Sequence, residues 1–282
     1  MWIKRRTHEG IRKYLKLLKE KYPTKQSVYR ELINLNAIMN LPKGTEHFMS
    51  DLHGEYDAFY HIINNCSGVI REKVAMLYGD ELTVYEQQEL CTLIYYPREK
   101  LSILMDENKV NDEWYRNVLD QLIQIAKLLS SKYTRSKVRK AMPVDFAYII
   151  DELIHAQKDE DDNRSVYHRQ IMETILSLHN GDEFLVALTD LIKRLAVDHL
   201  HILGDIYDRG PHADKILDLL MEHHSVDIQW GNHDILWMGA FCGNPVCMAL
   251  VVRNNIKYKT MSILENGYGI SLRFLLQFAV NT

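Results

Sequence analysis

Long apolar runs are missing from this sequence. No stretch approaches the roughly 18 residues that a membrane span needs. Cysteine is also scarce. Cys66, Cys91, Cys242 and Cys247 show no paired-ligand spacing. That argues against a cysteine-based zinc site or a disulfide framework and fits a reducing cytosol, so a cytoplasmic location is expected. Charge of one sign is not in excess. A formal net charge of −4 over 282 residues gives no electrostatic bias toward nucleic acid or an anionic membrane, and neither is expected as a partner. No internal repeat or low-complexity tract is present.

What is present is ample core material, 46% hydrophobic, in an order that changes along the chain. Residues 1–45 read as an N-terminal helical segment that closes near Leu41-Pro42-Lys43-Gly44. Its start, MWIKRRTHEGIRKYLKLLKEKYP, interleaves Ile11, Tyr14, Leu15, Leu17 and Leu18 with Lys and Arg. It lacks the uninterrupted apolar centre of a signal peptide and is expected to form an amphipathic surface helix. Residues 46–65 and 196–282 alternate strand, loop and helix, and read as two pieces of one α/β core. Residues 66–195 read as a helical insertion between them. Within it, Tyr115, Val118, Leu119, Leu122, Ile125, Ala126 and Leu129 recur at helical spacing. The acidic run Asp159 to Asp162 is expected to be a solvated loop.

Three short motifs carry chemistry, and each follows a strand-like stretch. Asp51-Leu52-His53-Gly54 comes first. Strand side chains two apart share a face, so Asp51 and His53 are expected to aim a carboxylate and an imidazole at one point, a pair suited to a divalent transition metal. Gly54 permits a close turn. The second motif is Gly204-Asp205-Ile206-Tyr207-Asp208-Arg209-Gly210. Asp205 stands at the strand end, with a carboxylate able to bridge two metals. Asp208 adds an acceptor, and Arg209 adds a planar cation that matches phosphate oxygens. The third motif is Gly231-Asn232-His233-Asp234. Asn232 offers a neutral oxygen ligand, and His233 can donate or accept a proton near neutral pH. All three motifs lie at carboxyl ends of strands, the edge where open α/β sheets bind ligands.

These motifs resemble the DxH, GDxxDRG and GNH[D/E] pattern of the calcineurin-like metallophosphoesterases. The stretches MSDLHGEYDAF, TLIYYPREKL, YTRSKVRKAMP, DFAYIIDEL, HILGDIYDRGPHADKI, WGNHDILWMGA and ENGYGISLR are similar to the class III fructose-1,6-bisphosphatases of bacteria, across nearly the whole chain. The resemblance implies an incomplete metallophosphoesterase sandwich of α/β class, interrupted by the helical insertion. It implies that Asp51, His53 and Asp205 ligate one metal, and that Asp205 and Asn232 ligate a second. It makes His233 the catalytic histidine, Asp208 its orienting carboxylate and Arg209 the phosphate clamp. The cofactor implied is a pair of Mn2+ ions. The reaction implied is hydrolysis of the C1 phosphate of fructose 1,6-bisphosphate, a step of gluconeogenesis.

The family is longer and supplies two further histidines to the second metal from its carboxyl-terminal half. The last histidine here is His233, and the sequence stops inside the helical stretch LRFLLQFAVNT. A truncated chain is therefore expected, holding one ion weakly and turning over poorly. Beyond the sugar bisphosphate, the partners expected are a further copy of the chain or the missing carboxyl-terminal half. Two other functions share the motifs: a phosphoprotein or dinucleoside polyphosphate phosphatase, and a non-catalytic fragment that associates with an intact homologue.

Overall fold

A computed structural model describes residues 2–156 and 162–281. The chain divides into two compact units, one formed by residues 1–43 with 132–134 and the other by residues 44–131 with 135–282. Asp159, Glu160 and Asp161 of the acidic run lie outside the described residues.

The smaller unit carries helices α1 (Trp2–Lys21) and α2 (Lys25–Ile38). Thr24 starts α2 with a reciprocal cap: its Oγ1 accepts from Ser27 N–H at 3.1 Å, and the Thr24 N–H donates to Ser27 Oγ at 3.2 Å. Ile11, Leu15 and Leu17 on α1 and Ile33 on α2 are exposed.

The larger unit is α/β. Three strands, β1 (Glu46–Met49), β2 (His199–Ile202) and β3 (Val226–Ile228), form a parallel sheet in the order β1-β2-β3. Register pairs Phe48 with His201 and His201 with Asp227. One face of this sheet is buried. Leu200 and Ile202 join Leu52, Phe59, Ile206, Ala213, Ile216 and Leu220 in one apolar cluster. The last three come from α12 (Ala213–Glu222), which connects β2 to β3, and Phe59 comes from α3 (Tyr56–Asn65). Burying a Leu or Ile side chain contributes about 1.5–3 kcal/mol, so this face fixes the strand register: a slip of one residue would turn Leu200 and Ile202 to solvent.

Between α3 and β2 the elements among the described residues are all helical: α4 (Val69–Tyr78), α5 (Val84–Tyr95), α6 (Pro97–Asp106), α7 (Asp112–Ser130), α8 (Arg135–Ala141), α9 (Ala147–Ile154), α10 (Asp162–Ser177) and α11 (Gly181–Ala196), with two short 3-10 turns. The breakers sit where helices stop and start: Gly79 follows α4 and Pro97 opens α6. The stripe read from the sequence is the buried face of α7, where Leu119, Leu122, Ile125 and Ala126 are fully buried. Asn111 caps that helix by accepting from Trp114 N–H at 2.8 Å. Asp112 and Glu113 occupy its first turn and Lys127 its last, matching the helix dipole. Its packing partner α11 buries Phe184, Leu185, Leu188, Leu191 and Ile192.

Beyond β3 come α13 (Asn232–Phe241), α14 (Pro245–Tyr258) and α15 (Arg273–Asn281). None of the described helices is long and apolar enough to cross a membrane.

Candidate metal centre

The three motif loops leave the carboxyl ends of the three strands and are stitched together by backbone. Leu203 N–H donates to Met49 C=O at 2.8 Å, and His53 N–H donates to Asp205 C=O at 2.9 Å. His212 N–H donates to Gly54 C=O at 3.1 Å. Two glycines let the chains approach this closely. A Cβ on Gly210 would sit 2.0 Å from the His53 carbonyl oxygen, and one on Gly231 would sit 2.2 Å from Asp205 Oδ1. The first loop is thus pressed on the second, and the second on the third.

Asp51 and His53 do converge, with His53 Nε2 lying 3.6 Å from Asp51 Oδ1. The reason differs from the strand alternation expected. Strand β1 ends at Met49, and both residues lie beyond it in left-handed backbone, with φ of 55° and 47°. Asp205 adopts the same conformation, φ 52°. A non-glycine residue there costs about 1–2 kcal/mol. Such strain persists where the surroundings over-determine it, and it clusters at functional sites. Leu52, buried between Asp51 and His53, provides that constraint by anchoring in the apolar cluster under the sheet.

Possible ligand atoms of Asp51, His53 and Asp205 all lie within 4.8 Å of one another. Asp208 occupies the centre of a second group. Its side chain is 4% exposed. Oδ2 accepts from Arg209 Nε–H at 2.8 Å and lies 3.4 Å from His53 Nε2, while Oδ1 lies 3.3 Å from His233 Nε2. Arg209 points largely into solvent. Asn232 is the first residue of α13, exposed, directly after the glycine that packs on Asp205.

One residue with no role in the sequence reading holds the arrangement together. Asp234 is 1% exposed. Its Oδ1 accepts from Ile206 N–H at 2.9 Å and Tyr207 N–H at 3.0 Å, and its Oδ2 accepts from Gly231 N–H at 2.8 Å. It therefore splices the second loop to the third. The available signal was its place at the third position of α13, where an acid can reach back to the N-cap amide. Behind it, Tyr207 stacks on Trp237 with ring centroids 4.4 Å apart. Burial pushes the Tyr207 hydroxyl pKa well above the ordinary range, and a hydrogen bond with Tyr268 adds to this.

The donor set fits a divalent cation. Asp205 Oδ1 is buried and has no hydrogen-bond partner, whereas Asp208 Oδ1 is buried facing His233 Nε2. A buried carboxylate oxygen left unpaired is costly, and a cation removes that cost. Carboxylate with imidazole is ligand chemistry of divalent transition metals.

A sequence model described as Firmicute fructose-1,6-bisphosphatase matches residues 13–282. The chain belongs to this family. It is 55% identical to a class 3 fructose-1,6-bisphosphatase of Clostridium beijerinckii, over 95% of this chain and 40% of that protein. It is equally similar to one of Listeria monocytogenes, over 95% of this chain and 41% of that protein. It is 53% identical to one of Clostridium acetobutylicum, again over 95% and 40%. The chain thus spans about two fifths of the length of these curated relatives. No solved structure matches it significantly. Membership of the class 3 family implies a divalent metal, in line with the ligand group at the strand ends.

Proposed function

We propose that these loops are the amino-terminal share of a two-metal phosphatase centre acting on the C1 phosphate of fructose 1,6-bisphosphate. The observation that carries this reading is the convergence of Asp51, His53 and Asp205 on one point, with the buried Asp205 Oδ1 left without a hydrogen-bond partner. The relatives' names supply the substrate. We read the three-stranded sheet as part of a metallophosphoesterase sandwich. Its core is 46–65 with 196–282, its helical insertion is 66–195, and 1–45 is an N-terminal helical segment. The four cysteines are free thiols, in keeping with a cytoplasmic location.

Asp51, His53 and Asp205 would hold one cation, and Asp205 with Asn232 would contribute to a second. Mn2+ suits this oxygen-rich set. When bound, the pair supplies Lewis-acid activation of water and screening of phosphate charge. The remaining steps fall to side chains. Asp208 Oδ1 faces His233 Nε2 and holds the imidazole proton on that nitrogen. His233 Nδ1 is then the atom that exchanges a proton with the leaving sugar oxygen. Arg209, tethered through Nε to Asp208, keeps its two terminal nitrogens for the phosphate oxygens.

This stretch offers three ligands to one cation and only two to the other. The 282-residue chain is therefore expected to bind one Mn2+ weakly and to release phosphate from fructose 1,6-bisphosphate slowly or not at all. A carboxyl-terminal complement taken from a full-length relative is expected to raise both metal content and turnover when co-expressed. Metal analysis by mass spectrometry and a phosphate-release assay check this. Two tightly held ions with robust turnover from the 282 residues alone would overturn the ligand count. Metal content unaltered by Asp51→Asn and Asp205→Asn would overturn the site.

A further inference from the structure

The uncovered face of the sheet carries a second, separate cluster of ligand-type side chains. His199 and His201 lie two apart on β2 and so share that face, while their neighbours Leu200 and Ile202 enter the core. On β3, Asp227 is the residue directly opposite His201 in the parallel register. His201 Nδ1 lies 2.8 Å from Asp227 Oδ1, and His199 Nε2 lies 3.3 Å from Asp227 Oδ2. Three ligand atoms, one from each residue, fall within 4.8 Å of one another. Tetrahedral coordination with bonds near 2.0–2.1 Å separates donor atoms by about 3.4 Å, and the gap between His199 and Asp227 is already of that size.

The far side of each ring decides between a plain His–Asp pair and a metal site. His199 Nδ1 lies 2.6 Å from Ser225 Oγ. With its proton directed there, Nε2 presents a lone pair toward Asp227. Nε2 of His201 is buried without a hydrogen-bond partner and has the Glu46 carboxylate 3.9 Å away. With the proton on that nitrogen, Nδ1 presents its lone pair. Each near nitrogen is then free to coordinate, and the far nitrogen of His199 has the hydrogen-bonded outer partner that orients metal-bound histidines. The buried far nitrogen of His201 has no hydrogen-bond partner in either tautomer, and a proton on Nδ1 would satisfy Asp227 when no ion is bound. Phe48, stacked on His201 at 4.3 Å between ring centroids, holds that ring in place.

We propose that His199, His201 and Asp227 form a second cation site, distinct from the strand-end centre, that takes a borderline dication of the Zn2+ class and leaves its remaining position to water. Two imidazoles and one carboxylate are the donor set for such an ion. The site would tie β2 to β3 across the open face of the sheet.

The test uses the 282-residue chain carrying Asp51→Asn and Asp205→Asn, so that the strand-end centre does not contribute, with Co2+ as the probe. One Co2+ per chain is expected, with the visible absorption of a four- or five-coordinate ion, displaced by Zn2+. Asp227→Asn, an exposed isosteric change, is expected to abolish that absorption while circular dichroism stays unchanged. Ser225→Ala, which removes only the outer partner of His199, is expected to weaken binding by about tenfold. In the unaltered chain, Zn2+ is expected to raise the melting temperature, and to raise it less after Asp227→Asn. A folded background chain that binds no Co2+, or Co2+ absorption that survives Asp227→Asn, would overturn the proposal.

Discussion

The two ends of the parallel sheet bury ionisable groups in opposite ways. At the carboxyl end, Asp205 is a carboxylate with a buried oxygen that nothing in the described structure satisfies. Three neighbouring residues, Asp51, His53 and Asp205, stand in strained left-handed backbone. At the amino end, His223 and His224 immediately precede β3 and stack with ring centroids 4.4 Å apart, against a cavity of about 450 Å3 also lined by His47, Lys193 and Arg194. There, His223 Nδ1 lies 3.0 Å from the Ser225 carbonyl oxygen and His224 Nε2 lies 2.9 Å from that of Val197. Burial holds both pKa values down, His223 to about 4. One end removes charge to keep the fold stable. The other keeps an unpaired carboxylate oxygen, on Asp205, where a cation would be bound, and stability suffers for it.

If that contrast is right, the largest effect comes from forcing the loops apart. Gly210→Ala places a methyl group 2.0 Å from the His53 carbonyl oxygen, a backbone atom that cannot swing away. A loss of about 3–4 kcal/mol is expected, with metal binding lost in the fraction that still folds. Urea denaturation and metal titration measure the two separately. Near-normal stability with intact metal binding would show that the loops are not tightly seated.

Next in size is Asp234→Ala. Three backbone N–H groups, those of Ile206, Tyr207 and Gly231, lose their acceptor. Each unsatisfied buried donor costs about 1–3 kcal/mol, and relaxation and entering water reduce the sum to about 2–3 kcal/mol. Metal affinity should fall as well, because the second and third loops are no longer joined. A stability loss with unchanged affinity would make Asp234 purely a folding residue.

Asp205→Asn is expected to act in the opposite direction. It removes a carboxylate whose Oδ1 is buried and unpaired, so the metal-free chain should gain about 1 kcal/mol while metal binding at the strand-end centre is lost. A destabilised metal-free variant would mean that Asp205 is already compensated, and the contrast between the two ends would weaken.

Much of this is legible in the sequence, and the failures share one physical cause. Helical spacing along α7 reports which face is buried, and that face is buried as read. The positions of the three motifs after strands follow from apolar patterning too. Backbone conformation and hydrogen-bond partners leave no such periodic trace. The left-handed turn at Asp51 and His53 therefore has the same spacing as a strand pleat and reads as one. Asp234 carries no visible role because its three partners are amides, which have no residue-type signal. The pairing of His201 with Asp227 needs the register of two strands joined only through α12.

The smallest effect tests the amino end. Below pH 6.5 an unfolded chain protonates its histidines, whereas folded His223 takes its proton only near pH 4. Folding must expel that proton over this interval. The contribution of neutral His223 is therefore complete above pH 6.5 and is lost progressively as pH falls toward 4. Partial solvent contact screens the effect, so no more than about 1 kcal/mol is expected to disappear between pH 7 and pH 4.5. His224, held down in the same direction, adds to it. His223→Gln keeps a polar side chain without a titrating group, and should flatten the stability profile in this window while leaving metal affinity at pH 7 unchanged. Equal slopes for both chains would mean that His223 takes up its proton inside the folded protein as readily as in water, and that the amino end is no drier than the carboxyl end.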